Sequence, residues 1–427
     1  MKSLHFFIYF IIFSGTSIFS QTSQWEVFNT MNSGLPNNGV NKITQDNEGN
    51  YWIATMGGIA KYDGSNWTSY TTSTSNLSDD RIKDLVFDGT TLWIGYVTDG
   101  IAKFDGTTFT NYDLDVAFNS YYQGANYIHG MDMDSNHNLW LATGYGLIKY
   151  NGTNFSRYHT GNGMQGTSNL TYSVKCNKTN NDVWVGTFYS GLQKFNGSTF
   201  IQYYLHDPNT PYWGDWQEVN SIEFENDGDI WVSGSQAVIE FDKNTMQQKA
   251  TYNSTNAPID PLTWGIAFDH NQKLWVGSDC LYGVFYLKNG NWTTYNETNS
   301  GFPQGICYWI NTFHVDQNNT KWMAHNSKGV VVYNETGLVG ITENRQQNHT
   351  LKVFPNPTEN TIAFNITYND VMTIDIYDYT GKLVGVNNYS GNRNNLELEA
   401  GSLNPGVYSY QLTTVDFKNY TGKFIKN

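Results

Sequence analysis

Seven tryptophans recur along this chain at nearly equal steps: Trp52, Trp93, Trp140, Trp184, Trp231, Trp275 and Trp322. The gaps are 41, 47, 44, 47, 44 and 47 residues, with a mean of 45. A run of similar phrases surrounds them, from "GNYWIATMGGIAKYDG" at 49–64 to "DGTTLWIGYVTDGIAKFDG" at 88–106. Each copy reads as four short strands. The first ends in an acidic or amide residue ("VNKITQD", "INTFHVD"), the second holds the tryptophan ("LWLAT", "VWVGT"), and the third follows a glycine ("GLIKY"). An Asp-Gly or Asn-Gly pair then leads to an aromatic fourth strand ("NWTSY", "NFSRY"), and such pairs between aromatic runs are strong hairpin signals. A period of roughly 40 to 50 residues with several strands per unit is the mark of a propeller blade, because one such unit cannot bury its faces alone. The pattern predicts an all-β chain: a seven-bladed β-propeller over residues 21–341.

A ring of sheets must not leave an unpaired edge. After Tyr333 the aromatic fourth strand is missing and "GLVGI" stands in its place. A lone fourth-strand look-alike, "QWEVF", precedes the first repeat, with Trp25 and Phe28 matching Trp67 and Tyr70. The expectation is that the amino-terminal strand completes the last blade. The alternative is residues Leu338 to Ile341, since Leu338 lies as far from Tyr333 as Trp67 does from Tyr62.

The phrase "V..I..D..GN.WI.T..GIAKYDG..W..Y" resembles the two-component regulator propeller repeats. That resemblance covers about residues 22 to 340 and implies a ligand-sensing domain outside the membrane. No membrane-spanning run and no kinase segment follows, so the family's signalling role is not expected here.

Residues 342–350 read as a polar linker and 351–427 as a separate small β-sandwich with alternating strands and Gly, Pro and Asn turns. Its phrases include Phe354, Pro355, Asn356 and Pro357; Tyr377 through Val384 with Gly381; Pro405, Gly406, Val407 and Tyr408; and the terminal Lys423, Phe424, Ile425 and Lys426. This ordered set resembles the type A carboxy-terminal sorting domain of the type IX secretion system. The resemblance implies that the secretion machinery is a partner and that a Gram-negative bacterium carries the chain across its outer membrane.

The amino terminus fits export. Lys2 precedes the apolar run Phe6 to Phe13 and the small-residue stretch "SGTSIFS", the layout of a signal peptide over residues 1–20 cut between Ser20 and Gln21. The expected destination is the cell surface or the medium. Charged residues make up only 15% of the 427, and the net charge of −14 argues against a nucleic-acid partner. Of three cysteines, Cys176 falls in an apolar repeat column and reads as buried filler. Cys280 and Cys307 project from adjacent blades and are a disulfide candidate, with two unpaired thiols as the alternative.

No metal spacing, nucleophile elbow or cofactor motif occurs, and the expectation is no cofactor and no catalytic residue. Acidic turns such as "DNEGN" at 46–50 lack the distal glutamate of a calcium loop and read as hairpin turns. Lys83, Asp99, His129 and His325 approach the ring centre, where an acid–base pair or merely a solvated channel would result. The connections between blades vary in length, and variable loops on one face of a repeat array commonly carry binding. These connections hold Tyr121, Tyr122, Tyr127, Tyr212, Trp213, Trp216, Trp264, Tyr308 and Trp309; shorter loops add Tyr145, Tyr189 and Tyr282. Aromatic faces with polar edges suit sugar rings or extended peptides. The expected function is recognition of a glycan or peptide by an exported propeller, with His129 and these aromatics at the site. The alternatives are an extracellular polysaccharide lyase or glycosidase, and a purely structural surface protein.

Overall fold

A computed structural model describes residues 24–119, 124–205, 217–234, 237–259, 263–278, 283–296, 298–300, 302–303, 309–338, 353–364, 371–378, 383–388, 396–414 and 419–427. Seven four-stranded antiparallel sheets follow one another along the chain. Their innermost strands are Val40–Gln45, Ile82–Phe87, Ile128–Met133, Thr171–Cys176, Val219–Phe224, Thr263–Phe268 and Ile310–Val315. The tryptophan strands beside them, such as Leu92–Tyr96 and Leu139–Thr143, are buried at every position. Both faces are covered, so their near-continuous apolar runs need no alternation. The outermost strands, such as Trp67–Tyr70, are partly exposed. One short helix, Leu114–Phe118, lies in the connection after the second blade, its amino end capped by the Asp113 side chain on Val116 N.

Each repeated tryptophan belongs to a different buried cluster that joins its own blade to the next. Trp52 packs with Leu85, Ile94 and Phe104 of the second blade, and Trp140 with Val174, Val185 and Phe195 of the fourth. Trp322 of the seventh blade packs with Val40, Ile43, Ile53 and Tyr62 of the first. Burying a large apolar side chain contributes about 2–3 kcal/mol, so these interfaces, repeated around the array, are the main cohesive term. Sheets seven and one are also joined by Tyr51, which stacks on Trp322 at 3.8 Å and donates from its hydroxyl to Asp316 at 2.7 Å.

The repeated acidic residue has a structural task. The indole N–H donates to that carboxylate in six of the seven blades: Trp52 to Asp46 (2.9 Å), Trp93 to Asp88 (3.3 Å), Trp140 to Asp134 (3.0 Å), Trp231 to Glu225 (2.9 Å), Trp275 to Asp269 (3.1 Å) and Trp322 to Asp316 (3.2 Å). In the fourth blade Asn177 takes the acidic position, and Trp184 carries Lys194 over its ring, as Trp52 and Trp140 carry Lys61 and Lys149. The same carboxylates accept backbone N–H groups from their own turn, as Asp46 does from Glu48 and Asn50. These bonds account for the acidic turns.

The seventh sheet is completed by the amino-terminal strand. Trp25–Phe28 runs antiparallel to Gly329–Tyr333 with Trp25 opposite Tyr333 and Phe28 opposite Val330. Trp67 and Tyr70 oppose Tyr62 and Ile59 in the same way in the first blade. Gly329 has φ 96° and Gly58 φ 125°. A Cβ on either would strike the carbonyl oxygen ending the outer strand, of Phe28 and Tyr70 respectively, which is why the third strand of a blade opens on glycine. Leu338 packs beside the cluster containing Phe28 and Trp322.

The carboxy-terminal segment forms its own core. Strands Leu383–Asn388, Val371–Tyr377, Gly406–Thr414 and Asn419–Lys426 make one sheet, and Val353–Phe354, Thr361–Phe364 and Leu396–Glu399 a second. Ile362, Phe364, Ile374, Ile376, Tyr410, Leu412 and Phe424 are buried together. The Asn356–Pro357 peptide is cis, and Asn356 Oδ1 accepts from Ile425 N at 2.8 Å, tying the first phrase of the segment to its last strand. Pro405, Gly406 and Tyr408 lie at the turn into the longest strand, where the Tyr408 hydroxyl donates to Asn404 O at 2.8 Å. Lys423 is exposed. Gly381, Ser20 and Gln21 lie outside the described residues, as do Cys280 and Cys307. Cys176 is buried among Trp140, Val174 and Phe195, and burial raises its thiol pKa.

Candidate functional site

Every innermost strand carries a β-bulge at the same place. The ladder skips one residue between Val40 and Lys42, Ile82 and Asp84, Ile128 and Gly130, Thr171 and Ser173, Val219 and Ser221, and Ile310 and Thr312; in the sixth blade it skips two, between Thr263 and Ile266. A bulge leaves its extra residue unpaired and re-aims the side chain. The residues so released are Asn41, Lys83, His129, Tyr172, Asn220, Trp264 and Asn311, and all seven line one axial cavity of about 500 Å³. Each stands at the second position of its strand, next to the variable connections.

The seven divide by chemistry. The three asparagines bridge to the following blade: Asn41 Nδ2 donates to Ile82 O at 2.7 Å, Asn220 to Thr263 O at 3.1 Å and Asn311 to Val40 O at 2.7 Å. Lys83, His129, Tyr172 and Trp264 form no such bridge. In the fourth blade the neighbouring Ser173 hydroxyl supplies it, donating to Val219 O at 2.9 Å. His129 instead stacks on Tyr172, with ring centroids 4.8 Å apart and planes 2° from parallel. Tyr172 meets Phe188 at 5.2 Å, and Phe188 meets Tyr189 at 4.4 Å. A line of four rings thus runs from the cavity to Tyr189, which is 48% exposed. Across the axis, Trp264 meets Trp309 at 5.7 Å. Trp309 directly precedes its strand and has φ 23°, an uncommon value for a bulky residue.

Deeper in the cavity the side chains are charged. Lys175 pairs with Glu223 at 2.6 Å, Lys178 with Asp132 at 3.1 Å and Lys42 with Asp84 at 3.5 Å. Burial pulls Lys175 down, but Glu223 and Asp132 overcome it and its pKa is raised. Lys83 goes the other way: burial, with Lys42 adding to it, lowers its pKa despite Asp84. Burial, and then the charge of Lys83, holds His129 down to about 4. Burial lowers His314, on the seventh inner strand, to about 4 as well. The Tyr172 hydroxyl is raised by burial and by Glu218 and Tyr189.

Of the site residues expected from sequence, His129 and Trp264 line the cavity, and Trp309 joins it through Trp264. Tyr127 is 48% exposed on the variable face. Tyr145 is half-buried with its ring face taken by the Arg157 guanidinium at 3.1 Å, and Arg157 Nε donates to Tyr145 O at 2.6 Å. Tyr121, Tyr122, Tyr212, Trp213, Trp216, Tyr282 and Tyr308 lie outside the described residues. His325 is fully buried and does not line the cavity: its Nδ1 accepts from Ser327 N at 3.0 Å and Lys328 N at 3.1 Å, capping a turn. Asp99 is likewise absent from the cavity wall. Sequence reading missed Tyr172 and Phe188. Reading the second column of the aligned first strands would have found Tyr172, because that column alone mixes amide, basic and aromatic residues.

These features define a β-propeller with a populated axial cavity, followed by a β-sandwich. Residues 352–427 match the family model described as the secretion system C-terminal sorting domain, and residues 34–57 match the two component regulator propeller. Similar solved structures include the extracellular domain assigned to the hybrid two component system BT3049 from B. thetaiotaomicron, at 17% identity and TM-score 0.60, covering 93% of this chain and 54% of that one. A second is the extracellular domain assigned to the one component system BT4673 of the same organism, at 15% identity and TM-score 0.56, covering 94% and 59%. A third is the WD40 propeller domain of Doa1, at 12% identity and TM-score 0.52, covering 74% and 97%. The chain spans little more than half the length of the first two. No curated protein sequence matches it. The chain is therefore a β-propeller in which one segment matches the two component regulator propeller and the carboxy-terminal segment matches the secretion sorting domain.

Proposed function

We propose that this protein is an exported recognition module that binds a glycan at the variable-face mouth of its axial cavity. The sorting domain supports export, and the extracellular setting of the propellers it resembles agrees with it. The secretion machinery is its partner in transit through residues 352–427. The observation that carries the binding reading is the composition of the bulge ring. Four of its seven positions hold residues that make no inter-blade bridge, and Tyr172 joins ring surfaces leading out to solvent. A pyranose ring presents a flat C–H face to such surfaces and hydroxyls to the flanking amides.

The test is titration of the mature chain against a glycan array, followed by calorimetry on the hits. Tyr172→Ala and Trp264→Ala are expected to weaken binding at least tenfold, in line with the loss of a stacking ring, while the melting temperature stays within about 2 °C of the wild type. An array without hits, or variants that bind as tightly as the wild type, would refute the reading.

A further inference from the structure

The charges of the axial cavity do not cancel. Among the described residues four ammonium groups and three carboxylates line it, and three ion pairs consume Lys42, Lys175 and Lys178 together with Asp84, Glu223 and Asp132. Lys83 is left without an ion-pair partner among the described residues. Its nearest acid, Asp84, is committed elsewhere: Oδ2 accepts from Met131 N at 2.7 Å, Oδ1 from Leu85 N at 2.7 Å, and Lys42 takes the remaining contact. Among the described residues the neighbouring bulge positions carry no anion, and Asp132 of the third blade is paired with Lys178. On one side Asn41 is turned to Ile82 O, and on the other stands His129, whose ring stacks on Tyr172. An ammonium on a protein-walled channel without a counter-charge is costly, and such groups are ordinarily paired.

A second observation comes from the same wall. Asn220 Oδ1, Trp264 Nε1 and His314 Nε2 are buried polar atoms without a hydrogen-bond partner, and all three residues line this cavity. Unsatisfied buried groups are uncommon in native proteins, and a bound molecule is one way to supply the missing partner; Trp292 Nε1, Trp309 Nε1 and His325 Nε2 are unpartnered off this wall. The set comprises one acceptor, one donor and one imidazole nitrogen, which matches hydroxyl groups, since these both give and take.

We propose that Lys83 is the carboxylate subsite of this cavity, and that the glycan it takes is an acidic one whose uronic-acid residue sets its carboxylate on Lys83 and its ring against the His129–Tyr172 stack. The inference rests on the recognition reading above and adds the ligand's charge to it. A single carboxylate balances a single spare cation, whereas a sulfate- or phosphate-rich chain brings more charge than the cavity leaves uncompensated. The hydroxyls of the same sugar face the unpartnered atoms of Asn220 and Trp264. An extended acidic peptide would satisfy Lys83 equally but gives the stacked rings no flat face.

The experiment uses the mature chain and three defined probes: oligogalacturonate, a mannuronate–guluronate oligomer and an unsulfated glucuronate-containing disaccharide. Each is titrated beside its carboxyl methyl ester. At least one acid is expected to bind, with its ester at least thirtyfold weaker. Lys83→Met is expected to bind acid and ester alike, and Lys83→Arg to keep most of the preference. Lys83→Met is also expected to melt no lower than the wild type, because it removes an unpaired charge; a clear drop would mean that Lys83 has a structural partner and would overturn the proposal. Binding of neutral glycans alone leaves the recognition reading standing and defeats this one. Binding of an acidic peptide in place of every sugar defeats it too, and no binding of any glycan defeats both readings.

Discussion

The amino-terminal strand is the part of the propeller whose removal has the most definite cost. Trp25 is 7% exposed and sits in the cluster between the sixth and seventh blades. Its ring meets Tyr333 at 4.2 Å, Phe302 at 5.0 Å and Tyr295 at 5.8 Å, and its indole N–H donates to Ser300 O at 3.0 Å. Truncating a buried tryptophan to alanine costs about 3–5 kcal/mol, and losing the indole bond adds about 1 kcal/mol. A loss of about 4–6 kcal/mol is therefore expected for Trp25→Ala. At an unfolding entropy of about 2 cal/mol/K per residue over some 300 residues, the melting temperature falls by about 7–10 °C. Trp25→Phe keeps most of the ring and should lose about 1 kcal/mol. Urea unfolding followed by tryptophan fluorescence measures both, with Ile201→Ala as the control, since Ile201 is 45% exposed on the outer strand of the fourth blade. Hydrogen exchange should also show the amides of Gly329–Tyr333 losing protection in Trp25→Ala ahead of the other third strands. A destabilisation no larger than the control's, or exchange that rises evenly in all blades, would refute the clasp as the element that completes the ring.

Two further outcomes are expected. Asp134→Ala removes the acceptor shared by Asn136 N, Asn138 N and the Trp140 indole, and should destabilise by about 3 kcal/mol; Asp63→Ala, in an exposed hairpin turn, should cost less, and equal losses in urea unfolding would contradict the structural role given to the acidic column. The pH profile follows from His129, His314 and His325, each held to about 4 in the fold. An unfolded histidine titrates near 6.5, so between about 6.5 and 4 the unfolded chain binds more protons. Stability is thus expected to be full above about pH 6.5 and to fall as the pH is lowered toward 4. His325→Gln should flatten this slope, and a flat wild-type profile over that range would show the burial argument to be wrong.

The period of the tryptophans made the blade count legible, because that spacing has one structural reading and each tryptophan fills one inter-blade cluster. The closing strand was legible as well, since Trp25 and Phe28 repeat a pattern whose usual partner is missing after Tyr333. The bond from each acidic residue to its tryptophan was not. Six residues along a chain say nothing about distance until the hairpin is folded, so these residues read only as turn formers. Counting aromatics on the variable connections singled out one face without showing how each ring is placed. Tyr145 is large and lies on that face, yet an arginine two strands away covers it. Tyr172 sits inside a strand, where a period-2 reading gives no hint that a bulge turns it to the axis. His325 looked like an axial histidine because its strand is the second of a blade, and its ring instead closes the following turn.

Under the proposed function, the bulge is also what separates recognition from stability. A residue in the ladder must satisfy its neighbours on two strands, and one facing the next blade must fit a packed cluster. The bulged residue does neither, so the proposed function leaves its identity to the ligand, to the rings beside it and to the inter-blade carbonyl it can reach. Asn41, Asn220 and Asn311 answer the second demand. Where the residue departs from asparagine, the scaffold either finds a substitute, as with Ser173, or forgoes the bridge, as beside Lys83 and His129. Those departures fall on consecutive blades two, three and four, with Trp264 on blade six across the axis. A scattering of neutral changes would have no reason to place a cation, a stacked ring pair and an indole around one opening. Replacing Lys83, His129, Tyr172 and Trp264 together by asparagine should therefore yield a propeller as stable as the parent, with seven like bridges and no binding. A quadruple variant that unfolds more readily than the wild type would show that these four side chains serve the scaffold after all.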